Sequence, residues 1–219
     1  GAEKFLDIKC RKANLSPDAT VLVATIRALK MHGGVDKENL NKENVEAVKK
    51  GSENLLKHIE NLKKYGVPVV VGINAFVSDT EEEMDVVRKV CEKVGINAVT
   101  SKHWEFGGEG ALDLANEVVD TLDKTKSNFK TLYGDNLSLE EKIRKVSSEI
   151  YGAKELEIST TAKKQLEDLK GTKYEKFPVC IAKTQYSFTA DPENGGLPQE
   201  HNLPVKEIRV SAGAEFVVV

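Results

Sequence analysis

The sequence predicts an α/β protein whose first part is a mostly parallel, doubly wound sheet and whose second part is a smaller α+β portion. Short Val-rich apolar runs alternate with helical patterns up to about residue 126, and the character of the chain changes near Ser127. This β-α-β-α-β-α order is typical of a parallel sheet with right-handed crossovers. We therefore expect a parallel α/β portion over residues 1–126 and a helical and mixed α/β portion over residues 127–219.

The first two apolar runs predict strands of the buried, parallel kind. Residues 18–29, DATVLVATIRAL, form a nearly continuous apolar run, which indicates a strand buried on both faces. A turn, MHGGV, follows it. Residues 40–65 carry apolar side chains at helical spacing, and Gly66 is a natural terminator for that helix. Residues 67–76, VPVVVGINAF, predict the second strand.

The helix after the second strand has clear start and stop signals. Ser78, Asp79 or Thr80 can cap it, glutamates fill its first turn, and Gly95 ends it. Residues 96–101 then predict a third strand, and residues 107–124 a further helix.

The second portion mixes helices and strands. Ser138 and Glu141 have the spacing of a capping box and predict a helix start. A second helix is predicted over residues 159–171, with Thr160 or Thr161 as its cap. Residues 177–188 predict a strand that runs into a polar loop, and residues 205–219 predict one further strand.

Composition excludes several classes of protein. The formal net charge is −3, from 32 basic and 35 acidic residues, so no global charge favours nucleic acid or a membrane surface. No apolar run approaches the roughly 20 residues of a membrane helix. Three well-separated cysteines are typical of reduced thiols in a cytosolic protein, and the four histidines share no zinc-ligand spacing with them.

Ligands of open α/β sheets bind at the carboxyl ends of the strands, and two large aromatic residues lie there. Phe76 follows the second strand, and Trp104, the only tryptophan, follows the third. Such a pair suits a flat heterocycle, and stacking is worth about 1–3 kcal/mol per ring. The alternative is that both rings fill gaps between loops and helices.

Other strand-end residues are weaker candidates. Asn74 either hydrogen-bonds a purine edge or forms a local turn. The glycines of GGEG either cradle a phosphate or allow a tight start to the next helix. His32 is a candidate general base or phosphate contact, and Lys183 a candidate anion contact. A histidine in a turn and a solvated lysine are the more common explanations of such residues. No catalytic Ser/His/Asp set is evident.

Several long motifs closely resemble segments of formate–tetrahydrofolate ligases, in order along the whole chain. They include GAEKFLDIKCRKANLSPDATVLVATIRALKMHGGV, VPVVVGINAFVSDTEEE, WEFGGEGALDLA, SNFKTLYGDNLSLEEKI and FPVCIAKTQYSF. The resemblance implies a P-loop-NTPase-like core. It also implies ATP-dependent formylation of tetrahydrofolate at N10, through formyl phosphate.

The resemblance also assigns site residues. It implies that the folate ring lies between Phe76 and Trp104, and that Val77 and Thr100 line the same cleft. The family often has Pro at the position of Val77 and an aliphatic residue at Thr100, so we expect a looser loop and altered contacts there. Asn74 matches, by analogy with P-loop proteins, an adenine-binding residue.

The resemblance further implies a fragment that lacks the family's N-terminal phosphate-binding loop and its C-terminal part. We therefore expect no catalytic residue, no metal site, no tightly bound cofactor and no activity in the chain alone. The parent enzyme would use formate, ATP with Mg and tetrahydrofolate, as a cytoplasmic homo-oligomer without nucleic-acid or membrane partners. Two alternatives are a non-catalytic α/β domain that binds a nucleotide or partner, and a scaffold segment that binds nothing.

Overall fold

The computed structural model describes residues 1–182, 187–189, 191, 196–198 and 200–219. The chain divides into two compact units. One unit is Pro17–Phe129 together with a short segment that ends at Leu197, and we call it the sheet unit. The other contains Gly1–Ser16 and most of the chain from Lys130 onward, and we call it the mixed unit. Residues 1–16 thus group with the later part of the chain, unlike in the division expected from the sequence.

Helices and strands alternate through the described residues. The α-helices are α1 (Arg11–Ala13), α2 (Ile26–His32), α3 (Val45–Lys64), α4 (Glu81–Glu92), α5 (His103–Phe106), α6 (Leu112–Lys124), α7 (Leu139–Val146) and α8 (Thr160–Leu169). Wider helical turns precede α1 at Lys4–Cys10 and follow α7 at Ser147–Tyr151. The strands are β1 (Thr20–Ala24), β2 (Val69–Asn74), β3 (Ala98–Ser101), β4 (Glu155–Ile158), β5 (Val179–Cys180), β6 (Asn202–Val205), β7 (Arg209–Ser211) and β8 (Phe216–Val218).

The sheet unit has a parallel sheet in the order β1-β2-β3, which confirms the predicted α/β class. Gly72 of β2 pairs with Val23 of β1 and Val99 of β3, so these three residues share one face. Helix α6 packs on the β2 and β3 part of that face, since a Cβ on Gly72 would lie 3.0 Å from the Leu114 side chain. Helices α3 and α4 pack on the opposite face. The sheet therefore has helices on both sides.

The prediction for the first apolar run, residues 18–29, was wrong in two respects. The strand ends at Ala24, and α2 begins at Ile26, because the Thr25 side chain accepts a hydrogen bond from the Ala28 backbone and caps the helix. The strand is also not buried on both faces, since Val23 is 61% exposed. Apolar residues spaced for a helix and for a buried strand look alike over such a short run.

The start of α4 confirms its predicted signals and selects among the three candidates. Thr80 is the cap: its hydroxyl accepts from the Glu83 backbone, and the Glu83 carboxylate accepts from the Thr80 backbone. Helix α3 begins later than predicted, at Val45, because Asn44 caps it. Its close packing on α2 leaves no room at Gly51, where a Cβ would lie 1.9 Å from the Leu29 carbonyl oxygen.

The mixed unit holds two small sheets. Strands β4 and β6 pair in parallel, β5 pairs in parallel with β8, and β7 pairs antiparallel with β8. The single strand predicted over residues 205–219 is wrong: the run contributes to β6, β7 and β8, because the segment around Gly213 turns the chain back.

The cap of α8 is Ser159, not Thr160 or Thr161. Ser138 and Glu141 form the predicted capping box of α7. In the described residues no helix has the length and apolarity needed to cross a membrane.

Candidate functional site

The candidate site lies where β2 and β3 end in the sheet unit. The two strand ends stay joined beyond the sheet, because the Ala75 backbone donates to the Ser101 carbonyl over 3.1 Å. Phe76 and Val77 follow at once and are 36% and 80% exposed. Large apolar side chains at this degree of exposure do not serve the core.

A tight turn fixes the backbone of Phe76. The Phe76 backbone N–H donates to Asp79 Oδ2 over 2.9 Å, and the Asp79 N–H donates to the Phe76 carbonyl over 3.0 Å. Burial raises the pKa of the Asp79 carboxyl above its usual value. The hydrogen bond from the Phe76 N–H and attraction by Lys30 and Arg27 only partly offset this increase. The turn therefore sets the direction in which Phe76 leaves β2.

Trp104 is tied to the same place. It lies on the short helix α5, 53% exposed, and its indole Nε1–H donates to the Ala75 carbonyl oxygen over 2.9 Å. Gly107 ends α5 with φ +57°. Gly110 then passes so close to Lys102 that a Cβ would meet its carbonyl oxygen at 2.4 Å. The GGEG glycines thus allow a compact loop that holds the tryptophan beside β2. We call Phe76 and Trp104 the aromatic pair.

Asn74, the last residue of β2, has an acceptor that is not used. Its Oδ1 atom is buried and accepts no hydrogen bond from the described part of the chain. A buried acceptor without a donor costs about 1–3 kcal/mol. The side chain is therefore free to accept from a group that arrives at the strand end.

Thr100 does not join the aromatic pair through its hydroxyl. It faces α4, where Arg88 Nη2 donates to Thr100 Oγ1 over 2.8 Å, and the same hydroxyl contacts the Met84 sulfur at 3.8 Å. Arg88 is in turn held by Glu81 and Asp85. The structure thus brings together Phe76, Val77 and Trp104 and places Thr100 on the α4 face of β3.

A buried ion pair lies next to the turn that carries Phe76. Lys30 Nζ is 2.8 Å from Glu83 Oε1, and both side chains are fully buried, at 0% exposure. Lys30 also donates to the Lys42 carbonyl, and Glu83 accepts from the Asn44 backbone, both within hydrogen-bonding distance. This ionic pair, Lys30 and Glu83, joins α2, the start of α3 and the start of α4. Sequence reasoning missed it, since a lysine and a glutamate on amphipathic helices usually face solvent.

Two further candidates, His32 and Lys183, were named from the sequence. His32 ends α2 and is half-buried, and burial lowers its pKa, so it is less readily charged than a free histidine. Lys183 lies outside the described residues. Among the residues that the structure describes, no three His, Cys, Asp or Glu side chains group as a metal site would require.

Comparisons with known proteins match the whole chain to one family. A family model described as "Formate--tetrahydrofolate ligase" matches residues 1–219. The formate–tetrahydrofolate ligase of Granulibacter bethesdensis is 51% identical over 218 residues, which are 100% of this chain and 38% of that protein. Those of Beijerinckia indica and Ruegeria pomeroyi are each 52% identical over 100% of this chain, which covers 40% and 39% of their lengths. The chain thus spans about two fifths of the length of these relatives.

Proposed function

Because this chain belongs to the formate–tetrahydrofolate ligase family, we propose that it supplies the folate-binding platform of an enzyme that formylates tetrahydrofolate. The reaction is the ATP-dependent formylation of N10, with formyl phosphate as the activated intermediate. In this proposal the chain's own residues bind and orient the folate, and no residue of the chain takes part in bond making.

The observation that supports the platform is the exposed aromatic pair. Two large aromatic side chains are exposed at the ends of adjacent parallel strands. A hydrogen bond to the Ala75 carbonyl holds the Trp104 ring, and a turn closed by Asp79 fixes the backbone of Phe76. In open α/β sheets this edge is the ligand-binding edge. The flat pterin ring stacks between Phe76 and Trp104, while Val77 forms the apolar rim of the cleft.

The chemistry benefits from such a cleft in two ways. Holding the folate rigidly places N10 against the formyl carbon, which converts a bimolecular step into a nearly intramolecular one. Aromatic walls also exclude water, which would otherwise hydrolyse an acyl phosphate. Thr100, held by Arg88, contributes to the cleft by fixing β3 and α4 behind the wall.

The nucleotide has a smaller part in the proposal. Asn74 Oδ1 is a buried acceptor without a donor, and the amino group of adenine carries the N–H donors that would satisfy it. The proposal assigns no ligand in this chain to the Mg that accompanies ATP. A cytoplasmic, homo-oligomeric parent enzyme completes the proposal.

A titration of Trp104 fluorescence with tetrahydrofolate tests the platform. Trp104 is the only tryptophan, so its emission reports this site alone. We expect saturable quenching of the 219-residue chain, after correction for absorbance with free N-acetyltryptophanamide in parallel. A linear, non-saturating change in both the chain and a full-length relative would contradict the proposed platform.

Turnover assays test the assignment of catalytic parts. The motif G-x-x-x-x-G-K-[ST] does not occur within the 219 residues. We therefore expect that the purified chain does not hydrolyse ATP in a formate-dependent manner, whereas a full-length relative does so under the same conditions. Formate-dependent phosphate release by the chain alone would overturn this division of roles.

A further inference from the structure

Arg27 of α2 is the residue in contact with Phe76 that the proposed function does not use. Its guanidinium carbon lies 5.7 Å from the centroid of the Phe76 ring. We propose that Arg27 is a positioning residue of the folate cleft. It packs on one face of the Phe76 ring, holds the ring in position and so sets the affinity for the pterin. This inference rests on the proposed function, because the ring it positions is one wall of that cleft.

The guanidinium is itself held in place. Arg27 Nη2 donates to Asn41 Oδ1 over 2.7 Å, and the neighbouring Lys42 carbonyl accepts from buried Lys30. Arg27 and Lys30 lie three residues apart on α2, which begins directly after β1. The buried ionic pair therefore fixes both the helix that carries Arg27 and the segment that carries Asn41.

The Phe76 ring needs such support because only its backbone is otherwise fixed. The turn closed by Asp79 sets the backbone of residue 76, but it leaves the side-chain torsions undetermined. The residue after Phe76 is Val77, so no proline restrains the backbone of the loop at that position. A cation within about 6 Å of a ring centroid is attracted to its face, and Arg in particular packs flat against aromatic rings.

Two consequences follow for recognition. Since Arg27 occupies one face of the Phe76 ring, the ring offers its other face to a ligand. The guanidinium also brings a positive charge to the edge of the cleft. Folates and nucleotides are both anionic, so the charge favours their approach.

A double-mutant cycle between Arg27 and Phe76 tests the inference. The variants are Arg27→Met, Phe76→Leu and the double variant, in the 219-residue chain and, at the corresponding positions, in a full-length relative. Tetrahydrofolate is the probe, and Trp104 emission gives the dissociation constant. Arg27→Met should weaken binding about three- to ten-fold, the range that a cation–ring contact supports. In the Phe76→Leu background the same change should have no further effect.

Three comparisons separate positioning from a general loss of structure. Arg27→Lys keeps the charge and should retain part of the affinity, while Asn41→Ala frees the guanidinium and should weaken binding by less than Arg27→Met. Arg144→Met, at an exposed arginine paired with Glu140, is the matched control and should bind like wild type. An equal loss from Arg27→Met in both backgrounds, or no loss in either, would overturn the inference.

The cycle also distinguishes failure of the inference from failure of the proposed function. If tetrahydrofolate binds neither the chain nor the full-length relative, the proposed function fails. The inference is then decided by the same cycle on ligand-free stability in urea, followed by circular dichroism. Coupled losses of Arg27→Met and Phe76→Leu would support the contact between the two side chains, and additive losses would overturn it.

Discussion

The aromatic pair and the ionic pair lie at the same end of the sheet unit but differ in solvent exposure and in their relation to the backbone. Phe76 and Trp104 are exposed, whereas Lys30 and Glu83 have no exposed surface. The aromatic side chains are attached to a backbone that other residues fix. The ionic pair is part of what fixes it, since it bonds to the segments around Lys42, Asn44 and Thr80. If the aromatic pair binds folate as we propose, binding and folding depend on different residues, and each can be changed separately.

The largest expected effect is on folding, from the loss of one member of the ionic pair. Lys30→Met leaves the Glu83 carboxylate buried without its counter-charge, and we expect it to lower the free energy of unfolding by about 3–5 kcal/mol. Urea denaturation followed by circular dichroism measures the loss. Lys124→Met, at an exposed lysine paired with Asp120, is the control and should change stability little. Equal stability of Lys30→Met and Lys124→Met would contradict the structural role of the buried ionic pair.

The next effect is on binding and should leave folding nearly intact. Trp104→Ala in a full-length relative should weaken tetrahydrofolate binding by about 1–3 kcal/mol, because one stacking wall is lost. ATP binding should change less. Calorimetry measures both affinities, and Phe106→Ala, which removes an equally exposed aromatic two residues away, is the control. Equal losses for both ligands with the fold intact would contradict the stacking role.

A smaller loss of stability is expected when the cap of α4, Thr80, is removed. Thr80→Ala removes the acceptor for the Glu83 backbone N–H and should cost about 1 kcal/mol of stability. Ser138→Ala removes the same kind of cap from α7 and should cost a similar amount. A markedly larger loss at Thr80 than at Ser138 would show that the cap also supports the buried Glu83.

The smallest effect concerns pH. The folded state raises the pKa of Asp79 through burial, so ionisation costs more in the folded than in the unfolded chain. The contribution of Asp79 to stability is therefore fully present below the ordinary aspartate pKa, about 3.9, and is lost as the pH rises through the raised value. Asp79→Asn cannot ionise. Relative to wild type it should gain stability between pH 3 and pH 7, as measured by urea denaturation. A constant difference across that range would argue against the burial effect.

Local signals in the sequence predicted the strands and the helix start that carry the candidate site. The runs VPVVVGINAF and INAVTS predicted β2 and β3, and the three cap candidates Ser78, Asp79 and Thr80 predicted the start of α4. The rule for parallel sheets predicted that Phe76 and Trp104 lie at the same edge. The division of the first apolar run was not predictable from its hydrophobicity. Its decisive feature, the Thr25 cap, is a single hydrogen bond that only the folded chain displays.

The supporting contacts could not be predicted from the sequence. Arg27 and Phe76, or Lys30 and Glu83, are far apart in the chain, and each lies in a segment where a charged residue normally faces water. Their pairing arises only when α2 packs beside the end of β2 and the start of α4 in the folded chain. Family resemblance indicated the side chains that we propose to contact folate, whereas the residues that support them could be identified only from the three-dimensional packing.

The hydrogen bond from the Trp104 indole to the Ala75 carbonyl has a consequence for the choice of spectroscopic probe. The only tryptophan reports a loop that can open while the strands behind it stay paired, because local openings cost less than global unfolding. Denaturation curves recorded by tryptophan emission should therefore have a midpoint at a lower denaturant concentration than curves recorded by circular dichroism. The difference between the two midpoints measures the opening of the loop itself. A folate analogue that closes the loop would bring the curves together.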